Sequence, residues 1–267
     1  MSQAKRHIGI ITTGHGPRDE YLHYHGLFLK ALGADVTITL RHIYDGLTLA
    51  DLDPHEVDKS TPNLGAHVHV PGAKGNHMGD GWEHRFYDLE FATGLVQQAI
   101  ERLETEDGVD MVLLACAAEF PEGALTARTM LIHPREIMFA LAQTIAEGSS
   151  RKPKVGVIVD AEHADHDRAD WLSRPFAEQI ELVVSPITST WLEAAQALGA
   201  AEVEYAFFFG YGVGLAPYDA RDEIPALERA IGAPLILPHR ATVLHLRNLL
   251  MPALNDLDFL PADWNRT

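Results

Sequence analysis

The sequence predicts an α/β fold of two pseudo-symmetric halves, each a mostly parallel sheet flanked by helices, with the active site in the cleft between them. Three observations predict it. Short apolar runs, ended by Gly or a polar residue, read as strands buried on both faces. Helical patterns alternate with those runs, as they do where parallel strands are joined by crossovers. The order also repeats: IGIITTG and MVLLACAAEF have counterparts in VGVIVD and YAFFFGYGVG further along the chain.

Taken in order, strands are expected at Ile8 to Thr12, Val36 to Leu40, Met111 to Ala115, Val155 to Val159, Leu182 to Ser185, Tyr205 to Phe209 and Pro234 to Leu237. Helices are expected over Tyr87 to Glu104, Pro134 to Glu147, Thr190 to Leu198 and Ile224 to Ile231. The joint is GSSRKPK, Gly148 to Lys154, rich in Gly, Ser, Pro and positive charge. We assign residues 1–152 with 240–267 to the first half and 153–239 to the second. Ligands of such sheets sit beyond the carboxyl ends of the strands, so chemistry is sought in the loops that follow them.

Composition narrows the function. The 267 residues suffice for one large domain or two small ones with a real core. Lys plus Arg total 21 and Asp plus Glu 38, a net charge of -17. Such a surface repels phosphate backbones and anionic lipid, which argues against nucleic acid and membrane partners. A small anionic substrate stays open, because a local pocket can oppose the global field. A single cysteine excludes an internal disulfide and fits a reducing cytosol, so a cytoplasmic location is expected. The opening MSQAKRHIGIITTG has no cleavage-site pattern, and no run approaches ~18 apolar residues, so neither a signal peptide nor a membrane span is expected. A homo-oligomer is left open.

Four segments carry candidate chemistry. Cys116 ends the strand Met111 to Ala115, and the small residues after it suggest a strand-to-helix turn. Backbone N–H groups at such a turn lower a thiol's pKa and can also hold a carboxylate. The plain alternative is a small buried hydrophobe. The second segment is TTGHGPRDE, after the first strand. Thr13, Gly14 and His15 are placed to line the cleft, and Arg18 is suited to a carboxylate through two parallel hydrogen bonds. Its plain alternative is a Pro-Gly turn with a solvated Arg. The third is AHVHVPGAKGNHMGDGWEH. His67 and His69 have strand spacing and share one face, and His77, Asp80, Glu83 and His84 follow in a Gly-rich stretch. That set suits a divalent metal, although fifteen histidines make chance clusters easy. The fourth, DAEHADHDRADW, places Asp160, Glu162, His163, Asp165 and His166 where acids complement the positive end of a helix.

At Cys116 the sequence becomes recognisable. LLACAAEFPEGALTARTMLIHPREIM resembles the AroM-like branch of the Asp/Glu racemase superfamily. There a cysteine ending a strand is followed by a small-residue turn, Glu-Phe-Pro, and an apolar segment ending in Pro. IGIITTGHGPRDE, YDGLTLADL, VGVIV with the later Trp171, VEYAFFFGYGVG and GAPLILPHRATVLHLRNLL are similar to further parts of that family, in order. The resemblance implies two α/β halves with a thiol on each side of a carboxylate substrate. One thiolate removes the alpha proton and the other thiol returns one to the opposite face. Here the second cysteine's place is taken by Gly210, the Thr-Gly after the first cysteine by Ala117 and Ala118, and the first loop's Gln by His15.

The expected function is therefore an enzyme acting on a small carboxylate by one-sided cysteine acid/base chemistry through an enolate-like intermediate, of decarboxylase, isomerase or racemase type. Cys116 would be catalytic and no cofactor is expected. Thr13, Gly14, His15, Arg18, Ala117 and Ala118 would hold the substrate, and Gly210, Tyr211 and Gly212 would form the opposing wall. One alternative is a metal-dependent lyase, isomerase or hydrolase built on His67, His69, His77 and His84. The other is a carboxylate-binding sensor without turnover.

Overall fold

A computed structural model describes residues 5–74, 79–212 and 223–250. The first part of the chain runs β1 (Arg6–Thr12), α1 (Asp19–Ala31), β2 (Val36–His42), α2 (Leu49–Leu52), β3 (Asn63–His69), β4 (Trp82–Asp88), α3 (Leu89–Thr105), β5 (Met111–Leu114), β6 (Met130–Ile132) and α4 (Pro134–Gly148). The rest runs β7 (Lys154–Asp160), α5 (Ala164–Ser173), β8 (Glu181–Ile187), α6 (Trp191–Ala200), β9 (Tyr205–Phe208), α7 (Glu223–Ile231), β10 (Leu235–Ile236) and α8 (Pro238–Leu250).

Two four-stranded parallel sheets result, ordered β2-β1-β5-β6 and β8-β7-β9-β10. The two orders are equivalent, so the duplication read in the sequence is a duplication of topology. It extends to packing. A Cβ on Gly9 of β1 would lie 2.7 Å from Leu103 of α3, and one on Gly156 of β7 would lie 2.8 Å from Leu198 of α6. Each central strand lacks a side chain where a helix leucine presses onto it.

The apolar strand residues are buried on both faces because helices cover both. On the first sheet, α3 packs Val96, Ile100 and Leu103 against Ile11, Val112 and Leu114, and α1 packs Tyr21 and Leu29 against Ile8, Ile10 and Leu113. On the second, α6 and α7 supply Leu198, Leu227 and Ile231. Two helices cross over between the halves. Met138, Phe139 and Ala142 of α4 lie with Val155, Val157 and Trp171 in the second sheet's core. Val243 and Leu246 of α8 lie in the first sheet's core.

Three expectations are corrected. Residues after Cys116 form no helix: Pro121 lacks a helical donor and Gly123 turns at φ +73°, so the chain runs irregularly to β6. The helix expected from Tyr87 starts at Leu89, because Asp88 caps it by accepting the Phe91 N–H at 2.9 Å. Tyr87, Glu83 and His84 belong instead to β4, which pairs antiparallel with β3. That hairpin interrupts the otherwise parallel pattern.

Candidate functional site

Cys116 lies two residues beyond the end of β5, after Ala115. The Cys116 N–H bonds the Leu114 carbonyl at 2.7 Å, which turns the chain sharply away from the sheet. The turn brings the next amides back over the sulfur, and the Ala118 N–H donates to Sγ at 3.2 Å. These are the backbone donors expected from the sequence, supplied by a tight turn instead of a helix N-terminus. The Thr13 hydroxyl, from the loop after the neighbouring strand β1, also reaches the thiol. Burial pushes the thiol pKa up. The Ala118 N–H, the Thr13 hydroxyl, the Arg135 guanidinium and the Ala117 N–H pull the other way, and burial wins.

The first loop is pinned from outside. Gly14 is buried, and its missing Cβ leaves room for the His67 carbonyl, which would lie 2.5 Å from such a carbon. Through that gap β3 runs beside the loop: the His15 N–H bonds the His67 carbonyl at 3.0 Å. His15 itself faces the hairpin and not the thiol. Its Nδ1 accepts from the His69 N–H at 3.1 Å, so its Nε2 carries the proton that meets the Leu47 carbonyl at 3.2 Å. Arg18 is buried and paired through Nε with Glu20. Its guanidinium also covers the Tyr21 ring at 4.8 Å. Arg18 thus stands beside the site already neutralised.

The opposing wall meets the first half through aromatic rings. Tyr211 is buried, stacked on Tyr21 and His25, and its hydroxyl lies 2.8 Å from His25 Nε2. His25 Nδ1 points at the Tyr21 carbonyl at 2.6 Å, so Nδ1 is the donor and Nε2 accepts from Tyr211. The Tyr21 hydroxyl stands 3.2 Å from where a Gly212 Cβ would be. A thiolate at Cys116 would raise the Tyr21 phenol pKa further, so Tyr21 stands near the thiol as well as beside Gly212. Desolvation pushes the Tyr21 and Tyr211 phenols up. It also pushes His25 down to about 4 and His239 down to about 3. All four are neutral near pH 7.

The histidine segment is dispersed. His67 and His84 are cross-strand neighbours with ring centroids 4.9 Å apart, while His69 pairs with Trp82 at 5.7 Å. His77 lies outside the described residues. Among the described residues no three His, Cys, Asp or Glu side chains are grouped to hold a metal ion. Two cavities of about 520 and 430 Å³ flank the hairpin, one lined by His15, Thr48 and His69, the other by His69, Lys74 and Asp80. Neither is walled by Cys116. The hairpin side also touches the second half, where Lys59 pairs with Glu162 and Phe86 meets His163 at 6.1 Å.

Sequence reasoning missed the residues that tie this site together: Tyr21, His25, Arg135 and Asp170. Arg135 sits in the first turn of α4 and is buried. It donates to the Ala117 carbonyl at 3.0 Å and to Asp170 of α5 at 2.6 Å. The one available signal was its place within the segment that carries the family resemblance. No helix among the described residues is long and apolar enough to cross a membrane.

Known proteins place this architecture. The family model described as AroM protein matches residues 8–250. Glutamate racemase isoform RacE1 from Bacillus anthracis superposes with a TM-score of 0.53 at 12% identity, covering 93% of this chain and 82% of that one. Glutamate racemase from Aquifex pyrophilus gives 0.50 at 14%, covering 92% and 84%. No curated protein matches the sequence. The chain therefore belongs to the AroM family, and its two equivalent α/β halves have the fold of the glutamate racemases.

Proposed function

We propose that the protein is an enzyme of the racemase and isomerase type that acts on a small carboxylate, with Cys116 as its acid/base on one face of the alpha carbon. The observation that carries this reading is the thiol at the end of β5, held by the Ala118 N–H at 3.2 Å beside Thr13. A thiol kept protonated by burial suits proton donation to an enolate-like intermediate. When substrate binds, the Ala117 and Ala118 amides and the Thr13 hydroxyl would turn to its carboxylate and hold the developing charge. Arg18 would add positive field more than a direct clamp, since Glu20 occupies its Nε.

Among the described residues, the other face offers no comparable group. Gly210 has no side chain, Tyr211 is a buried phenol pushed well above its usual range, His15 faces the hairpin, and His239 is too weak a base at about 3. Proton delivery is thus one-sided, which fits decarboxylation, isomerisation or tautomerisation better than symmetric racemisation. The test screens small carboxylates in deuterated water and reads the configuration of the labelled carbon. A single labelled configuration is expected. Label in both configurations, at equal rates from either enantiomer, would overturn the one-sided mechanism.

A further inference from the structure

Arg135 is a buried cation that the chemistry above does not use. Its helix, α4, has its apolar face in the core of the second sheet. Its guanidinium reaches back to the first half, where one terminal nitrogen donates to the Ala117 carbonyl at 3.0 Å. The other donates to Asp170 at 2.6 Å, with Glu119 at 3.5 Å and Asp167 at 4.0 Å. The planar fork suits this double duty, with each terminal nitrogen serving one partner, a span a lysine's single nitrogen lacks. Asp170 is itself held by Arg174 at 2.9 Å, and Arg174 returns to Glu136 of α4 at 3.4 Å. The Phe139 and Phe209 rings lie 5.5 Å from the Arg135 guanidinium carbon, which keeps water from weakening these pairs. Its Nε has no partner among the described residues.

We propose that Arg135 is the positioning residue for Cys116: it clamps the turn carrying the thiol to the second half and sets the electric field at the sulfur. The residue after the thiol is fixed through its carbonyl, which aims the Ala117 and Ala118 amides at Sγ. The anchor for that bond is Asp170, on the other half of the molecule, so the turn is ordered only when the halves are docked. The proposal rests on Cys116 being the working group, but its test reads the thiol itself.

Among the described residues, few charged or titratable groups surround the thiol. Tyr21 from α1 and Tyr44 from the loop after β2 face it as neutral phenols, both raised by burial. Arg135 faces it from α4. Behind Arg135 stand Asp167 and Asp170 from α5 and Glu119 from the thiol's own turn, with His166 bound to Glu119 at 3.0 Å. Loss of Arg135's charge and loss of Asp170's charge therefore act on the sulfur with opposite sign.

The experiment is the pH dependence of iodoacetamide labelling, followed by mass spectrometry on the whole chain; the single cysteine makes the label unambiguous. Wild type, Arg135→Gln and Asp170→Asn are compared by the pH midpoint of the rate, which accessibility alone does not move. Arg135→Gln is expected to shift the midpoint to higher pH and Asp170→Asn to lower pH. A folded Arg135→Gln with an unmoved midpoint would overturn the proposal, as would both variants shifting the same way, the signature of simple loosening. Should Arg135→Gln fail to fold, Asp170→Asn alone decides: a fall in midpoint supports the proposal, and a rise or no change overturns it. Opposite shifts with turnover unaffected would uphold Arg135's place at the sulfur while removing Cys116 from the reaction.

Discussion

The contact of the first loop with β3 rests on one missing methyl group, and Gly14→Ala tests it. A Cβ there would sit 2.5 Å from the His67 carbonyl oxygen and 3.5 Å from its carbon. A backbone carbonyl cannot rotate aside as a side chain does, so either the loop or the hairpin must move. Movement breaks the His15 N–H bond to His67 at 3.0 Å and the His69 N–H bond to His15 at 3.1 Å. Two such bonds are worth about 1 kcal/mol each, and overpacking adds about 1 kcal/mol or more. The expected loss is about 3 kcal/mol, a fall in melting temperature of roughly 6–12 °C at ~2–4 °C per kcal/mol. Urea and thermal unfolding of the variant measure it. Gly94→Ala is the control: Gly94 lies in α3 with nothing within 4 Å of its would-be Cβ, so alanine there should stabilise by about 0.5–1 kcal/mol. A Gly14→Ala variant as stable as wild type would refute the contact.

Buried neutral histidines make stability fall in acid. The folded pKa values of His25 and His239 are depressed to about 4 and about 3, so the unfolded chain binds protons first as pH drops below ~6.5. Their contribution is complete above that pH and declines below it, together by up to ~2.7 kcal/mol per pH unit until the folded state titrates. Urea midpoints at pH 5 and pH 7 check this, and a His25→Gln, His239→Gln double variant should flatten the slope. Tyr211→Phe strips His25 Nε2 of its donor at 2.8 Å and is expected to cost ~1–3 kcal/mol, read by thermal melts; an unchanged melt would mean the bond is not made. Exhaustive chelation is expected to leave turnover intact with less than one metal per chain by elemental analysis. Loss of turnover restored by zinc would return the His67–His84 segment to the centre of the chemistry.

What the sequence made legible follows from physics local to a few residues. Runs such as Ile8 to Ile11 and Val155 to Val159 are apolar because helices cover both faces of their sheets. Cys116 stood out as a strand-end residue, and the family resemblance around it made it the candidate thiol. The hairpin was only half visible. Leu64, Ala66 and Val68 alternate inward, but His67, His69 and the glycines after them resemble a loop, and antiparallel pairing of His67 with His84 is a long-range event. Helix α1 was obscured for a similar reason: DEYLHYHGLFLKA carries an internal glycine and four polar aromatic residues, Tyr21, His23, Tyr24 and His25, before its apolar end. The partners of Arg135 lie 18 and 35 positions away, so no spacing rule could bring them together. Likewise, that α4 covers the second sheet and α8 the first is decided by packing alone.

In the proposed mechanism a single thiol, Cys116, moves the proton. The most direct measurement is deuterium entry at the alpha carbon of a turned-over carboxylate, followed by proton NMR in deuterated water, for wild type and for Cys116→Ala. The side chain is partly buried and small, so alanine there should fold, and near-UV circular dichroism verifies it. Label entry and turnover are expected to fall together by about 10²- to 10⁴-fold, the usual worth of a positioned acid or base. Wild-type rates in a folded Cys116→Ala protein would contradict it.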